Sequence, residues 1–499
     1  MRFSDLLVGL DVGTTALKAV AVSPRGELVA QASRPYPLLS PRPGWTEQDP
    51  EAWIRAAEDA LAALAKAPGV DPARVAGIGL SGQMHGTVFL DSGGRVVRPA
   101  LLWNDQRTEA ECREIEAAFG GVPALVAATG NLALTGFSAP KLLWLRKIEP
   151  DAWRRMEKML LPKDFVRFRM TGEIATEVSD ASGTLLLDVP ARAWSKRTLD
   201  LLDLDERLLP PVHESPEVVG RLTRAFAEAT GFPAGTPVVA GAGDQAAGAV
   251  GTGNVAPGTI TVCLGTSGVV FATGDRYRHE PEGRLHAFCH AAPGLWHTMG
   301  VMLSAGGSLE WLRGVLSPPG APEPFEALTA LAGKIPAGSE GLLFHPYLTG
   351  ERTPLNDPSA KGLFFGLTAR HSRGHLVRAV MEGVVHGLRD GYDLTRALGG
   401  PAGRVVFTGG GAKDALWRTI LADALGREVE TVAADEGPAF GAALLAGVGA
   451  GIFSDVAAAC RAAVRVAGTT APDPVRHELF LERHRRYGEL HTAVKGLYR

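Results

Sequence analysis

The stretch LLVGLDVGTTALKAVAVSPRGELVAQAS, residues 6–33, decides how the rest of the chain is read. Short β-rich runs alternate with turn residues, which predicts three consecutive antiparallel strands with Asp11 at the first turn. A helix should follow from about Asp49, a capping residue, with Pro50 in its first turn and Trp53, Ala57, Leu61 and Leu64 on one face before Gly69. The segment VAGIGLSGQMHGTVFLD, residues 75–91, then returns to strand.

Three strands, a helix and another strand make the order of a ribonuclease H-like unit. A second start of the same type stands at TITVCLGTSGVVFAT, 259–273, where a strand, a Gly-Thr turn and a strand recur, so the chain reads as duplicated. Downstream, Leu376, Val380, Val384 and Leu388 fall at helical spacing, as do Trp417, Ile420, Leu421, Ala424 and Leu425 before Gly426. The boundary is placed near residues 245–258, giving an N-terminal lobe of 1–250 and a C-terminal lobe of 251–499. Residues 107–230 carry helix-like patterns and should decorate the first lobe.

Composition narrows the function. With 499 residues the chain is long enough for two or three domains, and 51 basic against 54 acidic residues leave a net charge of −3. That balance argues against a protein that works by neutralising nucleic-acid phosphates. The 61 glycines cluster and are expected to mark tight turns. Four cysteines, Cys112, Cys263, Cys289 and Cys460, lie far apart without a CxxC pair, which fits a reducing cytoplasm better than a zinc ribbon or disulfide scaffold. No secretory leader is expected, because Asp5 and Asp11 interrupt the apolar start. The uncharged stretches 245–274 and 439–453 are too broken or too short to span a membrane and read as core.

Three glycine-containing turns could hold phosphate. DVGTT, 11–15, joins a carboxylate to a turn whose backbone N–H groups can form an anion-binding concavity, with hydroxyls from Thr14 and Thr15. Magnesium uses one or two carboxylates plus substrate phosphates, which Asp11 could supply. An ordinary hairpin with an Asx-type turn is the plain alternative. LGTSG, 264–268, repeats the chemistry without the acid. VVFTGGGAKDALWRTILADALG, 405–426, runs from a strand through Gly409, Gly410 and Gly411 into a helix, permitting close approach of a ligand or simply making a tight connection.

Competing nucleotide motifs fail. No GxxxxGK[ST] occurs, and GAGDQA, 241–246, matches a dinucleotide pattern only formally, since no acid lies between Gln245 and Gly274 to take a ribose. Asp244 instead leaves an apolar strand among small residues that give a ligand room, as a general base requires, although a turn aspartate or helix cap would look the same. SGQMHG, 81–86, and LLWNDQR, 101–107, gather Gln83, His85, Trp103, Asn104, Asp105 and Arg107, which suit a polyhydroxylated ligand. For His85 alone a structural histidine is the simpler reading, and zinc is disfavoured without HExxH or paired Cys/His spacing.

Together these segments resemble the FGGY carbohydrate kinases over residues 6–450. GLDVGTTALKAV is similar to the family's first phosphate segment, LGTSG to its second and TGGGAKDALWRTILADALG to its adenosine segment; PYLTGERTPLNDPSAKGLFFGL and MEGVVHGLRDG are similar to its C-lobe block. SGQMHG, LLWND, GNLALTGFSAPKLLWL, LLPKDFVRFRMTGE and SDASGTLLLDV resemble the members that phosphorylate D-xylulose.

The resemblance implies an α/β, duplicated ribonuclease H-like fold of the actin and hexokinase type, with ATP and sugar in the cleft between lobes; because water is a competing nucleophile, the sugar is expected to draw the lobes together. It implies phosphoryl transfer to the 5-hydroxyl of D-xylulose, with Asp244 as base and Asp11 near the phosphates, both beside magnesium. Met84, His85, Trp103, Asn104, Asp105 and Gln245 would meet the sugar. Gly13, Thr14, Thr15, Gly265, Thr266, Ser267, Gly410, Gly411 and Ala412 would hold ATP. Gln245 stands where asparagine often follows the base, leaving another ketose or a polyol as the alternative, and a non-catalytic ATP-binding sugar sensor as the more distant one. A homodimer without nucleic-acid or membrane partners is the family expectation.

Overall fold

In the computed structural model, which describes residues 5–318, 320–400, 402–433 and 437–498, the opening segment forms β1 (Leu6–Val12), β2 (Ala16–Val22) and β3 (Leu28–Pro35). β1 pairs antiparallel with β2, and β2 antiparallel with β3. Helix α1 (Pro50–Ala65) follows, its N-terminus capped by the Asp49 carboxylate, which accepts the Glu51 N–H at 3.0 Å, and its Trp53, Ala57, Leu61 and Leu64 are buried. The chain re-enters the sheet as β4 (Val75–Gly82), parallel to β1. After a helical region that includes Glu109–Phe119, Ser138–Ile148 and Pro162–Thr171 come β5 (Val218–Arg221), β6 (Pro237–Val239) and β7 (Ala242–Gly243). Helix α2 (Asp244–Gly251) starts immediately after β7. The strand order is β5-β6-β4-β1-β2-β3, with β7 also on β4.

The second half repeats this plan. β8 (Thr259–Leu264) and β9 (Gly268–Gly274) form a hairpin, followed by β10 (His286–Cys289) and β11 (Trp296–Met302). Helices α3 (Gly306–Leu316) and α4 (Arg373–Gly399) lead to β12 (Arg404–Thr408), parallel to β8 as β4 is to β1. Helix α5 (Ala415–Leu425), β13 (Val429–Val432), α6 (Gly437–Gly449) and β14 (Val466–Thr470) complete the order β10-β11-β9-β8-β12-β13-β14. The two-lobed α/β fold expected from the sequence is therefore present, each lobe built on its own sheet and apolar core. Among the described residues no helix is long and apolar enough to cross a membrane.

Several glycines do something other than make turns. Gly9 on β1 and Gly79 on β4 are register partners in the middle of the first sheet. A Cβ on Gly9 would fall 1.9 Å from the Ala439 carbonyl oxygen, and one on Gly79 would fall 2.0 Å from that of Ala442. The two bare positions thus receive helix α6, which returns from the C-terminal half to lie on the N-terminal sheet. Mid-strand glycine here marks backbone approach, not a bend.

Candidate active site

β4 brings the two acids together. Asp11 on β1 is the register partner of Ser81, and on the opposite side Ala242 of β7 is also the partner of Ser81, so Asp244, at the start of α2, emerges next to Asp11. Burial pushes the Asp11 carboxyl up to about 6, while the Ser81 hydroxyl and the Lys18 charge pull the other way. Asp244 is pushed up to about 7 by burial and by the negative charge of Asp11, with Gln245 partly offsetting the rise. Oδ1 of Asp11 is buried with no hydrogen-bond partner. Paired acids of this kind concentrate at functional sites.

The small residues around Asp244 divide in two: those before it serve packing, and Gly248, Ala249 and Gly251 after it border a cavity with it. A Cβ on Gly241 would lie 2.1 Å from the Leu80 carbonyl oxygen, and one on Gly243 would meet the Met84 side chain at 2.9 Å. They let the strand pack tightly and aim Asp244, with Ser179 Oγ accepting the Gly243 N–H at 3.1 Å. Room for a ligand also opens on the other side of Asp244, in a cavity of about 200 Å³ bordered by Thr14, Met84, His85, Trp103, Asp244 and Gln245. Ser267 closes it from the second lobe. Asp244 and Gln245 also border a second cavity of about 250 Å³ that reaches Thr408 and Gly409 at the end of β12.

The first glycine turn is held from its carbonyl side. Tyr36 Oη donates to the Gly13 carbonyl at 2.5 Å, Gln48 Nε2 donates to the Thr14 carbonyl at 2.6 Å, and Trp103 Nε1 donates to Thr14 Oγ1 at 3.0 Å. Gln48 Oε1 also accepts from Trp53 of α1 and from Gln83, tying the turn to the core. The second turn is anchored in a parallel way, for the Gly265 carbonyl accepts the Gly306 N–H at 2.8 Å and the Thr266 carbonyl accepts those of Ala305 and Gly307. Gly265, Thr266, Gly410 and Gly411 border a larger cavity of about 590 Å³, with Phe325 and Trp417 in its wall.

His85 is both structural and at the cavity. Its backbone has φ +67°, its Nδ1–H donates to the Gly183 carbonyl at 2.7 Å, and its ring stacks on Phe137 at 4.6 Å. Burial outweighs the Gly183 hydrogen bond and lowers its pKa to about 3, so the ring stays neutral and Nε2 is an acceptor. The Lys141 ammonium donates to the His85 and Gly136 carbonyls at 2.7 and 2.6 Å, fixing this corner.

Three expected contacts lie elsewhere. Asp105 is fully buried, its carboxylate accepting from Arg107 Nη2 and from the Thr46 N–H, both at 2.7 Å. The Arg107 guanidinium stacks 3.7 Å over Trp45. This pair is structural because a buried carboxylate needs its partners. Asn104 does not border the sugar-sized cavity. Ala412 packs on the apolar core of the second lobe rather than bordering the 590 Å³ cavity. Conversely, Phe137, His286 and Arg352 border the smaller cavity without a local sequence signal that points to it. Phe137 and Arg352 fall in segments quoted only for their family likeness, and nothing in linear spacing connects residue 352 with residue 85.

Comparison with known proteins agrees with this architecture. The model of the FGGY family of carbohydrate kinases, N-terminal domain, matches residues 6–251, and that of the C-terminal domain matches 260–450. A xylulose kinase of Escherichia coli (strain K12) is 45% identical over 449 residues, covering 89% of this chain and 90% of that protein. The crystal structure of xylulose kinase from Rhodospirillum rubrum superposes with TM-score 0.92 at 32% identity, and that of gluconate kinase from Lactobacillus acidophilus with TM-score 0.93 at 25%; each pairing covers 99% of both chains. Two matched domain models spanning both lobes, and a whole-length relative well above 30% identity, converge with the paired acids and twin glycine turns: the chain belongs to the FGGY family of carbohydrate kinases.

Proposed function

We propose that the chain transfers the γ-phosphoryl group of ATP to the 5-hydroxyl of D-xylulose, giving D-xylulose 5-phosphate. The observation that carries the reading is Asp244, a carboxyl held near neutrality at the meeting point of the sugar-sized cavity and the cavity leading to Gly409. A base poised near the operating pH is what proton removal from an alcohol requires. The 45% identity to a protein named xylulose kinase supports the choice of sugar.

In this reading Met84, His85 and Trp103 orient the ketose, and Asp244 accepts the hydroxyl proton as the oxygen attacks. The Gly13 and Gly265 N–H groups are taken by the Ala16 and Ser267 carbonyls, so those of Thr14, Thr15, Thr266 and Ser267 stabilise charge on the transferring group, and Gly410, Gly411 and Trp417 hold the adenosine end. Positioning and electrostatics supply most of the rate in such transfers. Magnesium fits the residues present: Asp11 offers an unpartnered buried oxygen beside Asp244, and no group of three or more His, Cys, Asp or Glu that could cage a metal occurs among the described residues. That sparse set matches an ion that relies on substrate phosphates and water. When bound, the ion would neutralise phosphate charge, with Asp11 and Asp244 as its carboxylates.

Asp11→Asn should raise the magnesium concentration needed for half-maximal turnover by about tenfold or more, on the order of 1.4 kcal/mol, while leaving sugar affinity within a few-fold. A defect confined to sugar KM would remove Asp11 from the metal. We further propose a cytoplasmic location, in keeping with four unpaired cysteines, and, as the family expectation, a homodimer, whose assembly state light scattering reads.

The direct test is ADP release with ATP and magnesium, comparing no sugar, D-xylulose, D-ribulose, L-ribulose, ribitol and glycerol. Strong stimulation by D-xylulose is expected. Preference for another sugar would keep the kinase and change its substrate. Binding of ATP without stimulation by any sugar would favour a sensor.

A further inference from the structure

Arg352 is a cation in the wall of the sugar-sized cavity. Among the described residues its guanidinium makes no direct ion pair, and the charge that favours it is that of the adjacent Glu351, whereas its two neighbours in the chain are firmly bound to β11 and to Leu303 just after it. Oε1 of Glu351 accepts the Leu303 N–H at 2.9 Å, the Thr353 N–H donates to the Val301 carbonyl at 3.0 Å, and Thr353 Oγ1 accepts the Val301 N–H at 3.0 Å. The segment therefore presents Arg352 on a rigid mount. Burial pulls its pKa down from the usual guanidinium value, and its charge contributes to keeping His85 and His286 neutral. The charge that acts on Asp244 is that of Asp11. Arg352 shares the wall of this cavity with His85 and His286.

A guanidinium at a cavity wall without hydrogen-bond acceptors is costly unless a ligand supplies them, and its planar fork suits two oxygens side by side. A ketose bound with its 5-hydroxyl at Asp244 brings its C2 carbonyl and C1 hydroxyl toward the other end. We infer that Arg352 reads this hydroxyketone end, setting preference for a ketose over the corresponding polyol, and that a five-carbon aldonate binds the same place through its carboxylate. The ketose part rests on the function proposed above; binding of the sugar acid does not require turnover.

The test compares wild type, Arg352→Gln and Arg352→Lys with D-xylulose, with xylitol as substrate or inhibitor, and with D-xylonate as inhibitor and as a calorimetric ligand. Arg352→Gln should lose about 10- to 100-fold in kcat/KM for D-xylulose, mostly through KM, the worth of a hydrogen bond to a charged group, while xylitol affinity changes little. D-xylonate should compete with D-xylulose on wild type and bind at least tenfold more weakly to Arg352→Gln, with Arg352→Lys between them because it keeps the charge and loses the fork. The Tm of Arg352→Gln should change little, since the lost attraction to Glu351 is set against the removal of a desolvated cation. Equal losses for D-xylulose and xylitol, or D-xylonate binding that is absent from wild type or indifferent to Arg352, would overturn the inference. Failure of wild type to phosphorylate D-xylulose would defeat the proposed function, with the calorimetric arm still deciding the role of Arg352.

Discussion

Asp244→Asn should lower kcat by about 10²- to 10⁴-fold, the usual contribution of a positioned general base, with the fold intact and ATP still bound. The substitution keeps size and removes the proton acceptor, so steady-state ADP release read beside near-ultraviolet circular dichroism separates chemistry from folding. Turnover within a few-fold of wild type would remove Asp244 from the reaction. The pH dependence follows from the same carboxyl. Because burial and Asp11 hold it up to about 7, kcat/KM should fall about tenfold per unit below pH 7 and level off above it. The two acids interact, so the limb reports the pair rather than one residue.

Stability should respond with the opposite preference. The folded protein keeps a proton on Asp244 that the unfolded chain, with a normal carboxyl near 3.8, releases over the interval up to about 7. The stability associated with this group is complete below the lower value and is lost as pH rises through the upper one. Asp244→Asn removes the buried charge, so its Tm should exceed that of wild type at pH 8 and match it at pH 4. A lower Tm at pH 8 would mean that the carboxylate has a stabilising partner.

Gly441→Ala should be the most damaging single methyl group. Its Cβ would stand 1.8 Å from the Ala247 carbonyl oxygen, where α6 crosses α2. A backbone oxygen in a helix cannot rotate away, so the cost should reach or pass the upper part of the usual overpacking range, on the order of 3 kcal/mol or more. The helix it displaces begins with Asp244, so lost activity should accompany the fall in Tm. Gly314→Ala is the control. Gly314 is an exposed glycine in α3 with open space around its Cβ, and the change should stabilise by about 1 kcal/mol through helix propensity. Equal thermal melts for wild type and Gly441→Ala would show that the two helices slide apart freely.

The sequence alone determined what depends on neighbours along the chain. Alternation placed β1 to β3, the Asp49–Pro50 signal started α1, and the apolar spacing from Trp417 to Leu425 placed α5, because ladders, caps and helical faces are set within a few residues. The glycine turns were legible for the same reason, and a long family likeness supplied roles for Asp11 and Asp244. Tertiary structure decided everything that joins distant segments. Only the sheet shows that β4 sets Asp11 and Asp244 on either side of Ser81, and only the packing of α6 explains why Gly9, Gly79 and Gly441 carry no side chain. It also withdrew Asp105 into a buried pair with Arg107 and brought Arg352 to the cavity that His85 borders. A polar residue beside a turn has the same local signature whether it meets a ligand or a neighbouring side chain. Which of the two it meets is settled by how the folded lobes exclude water.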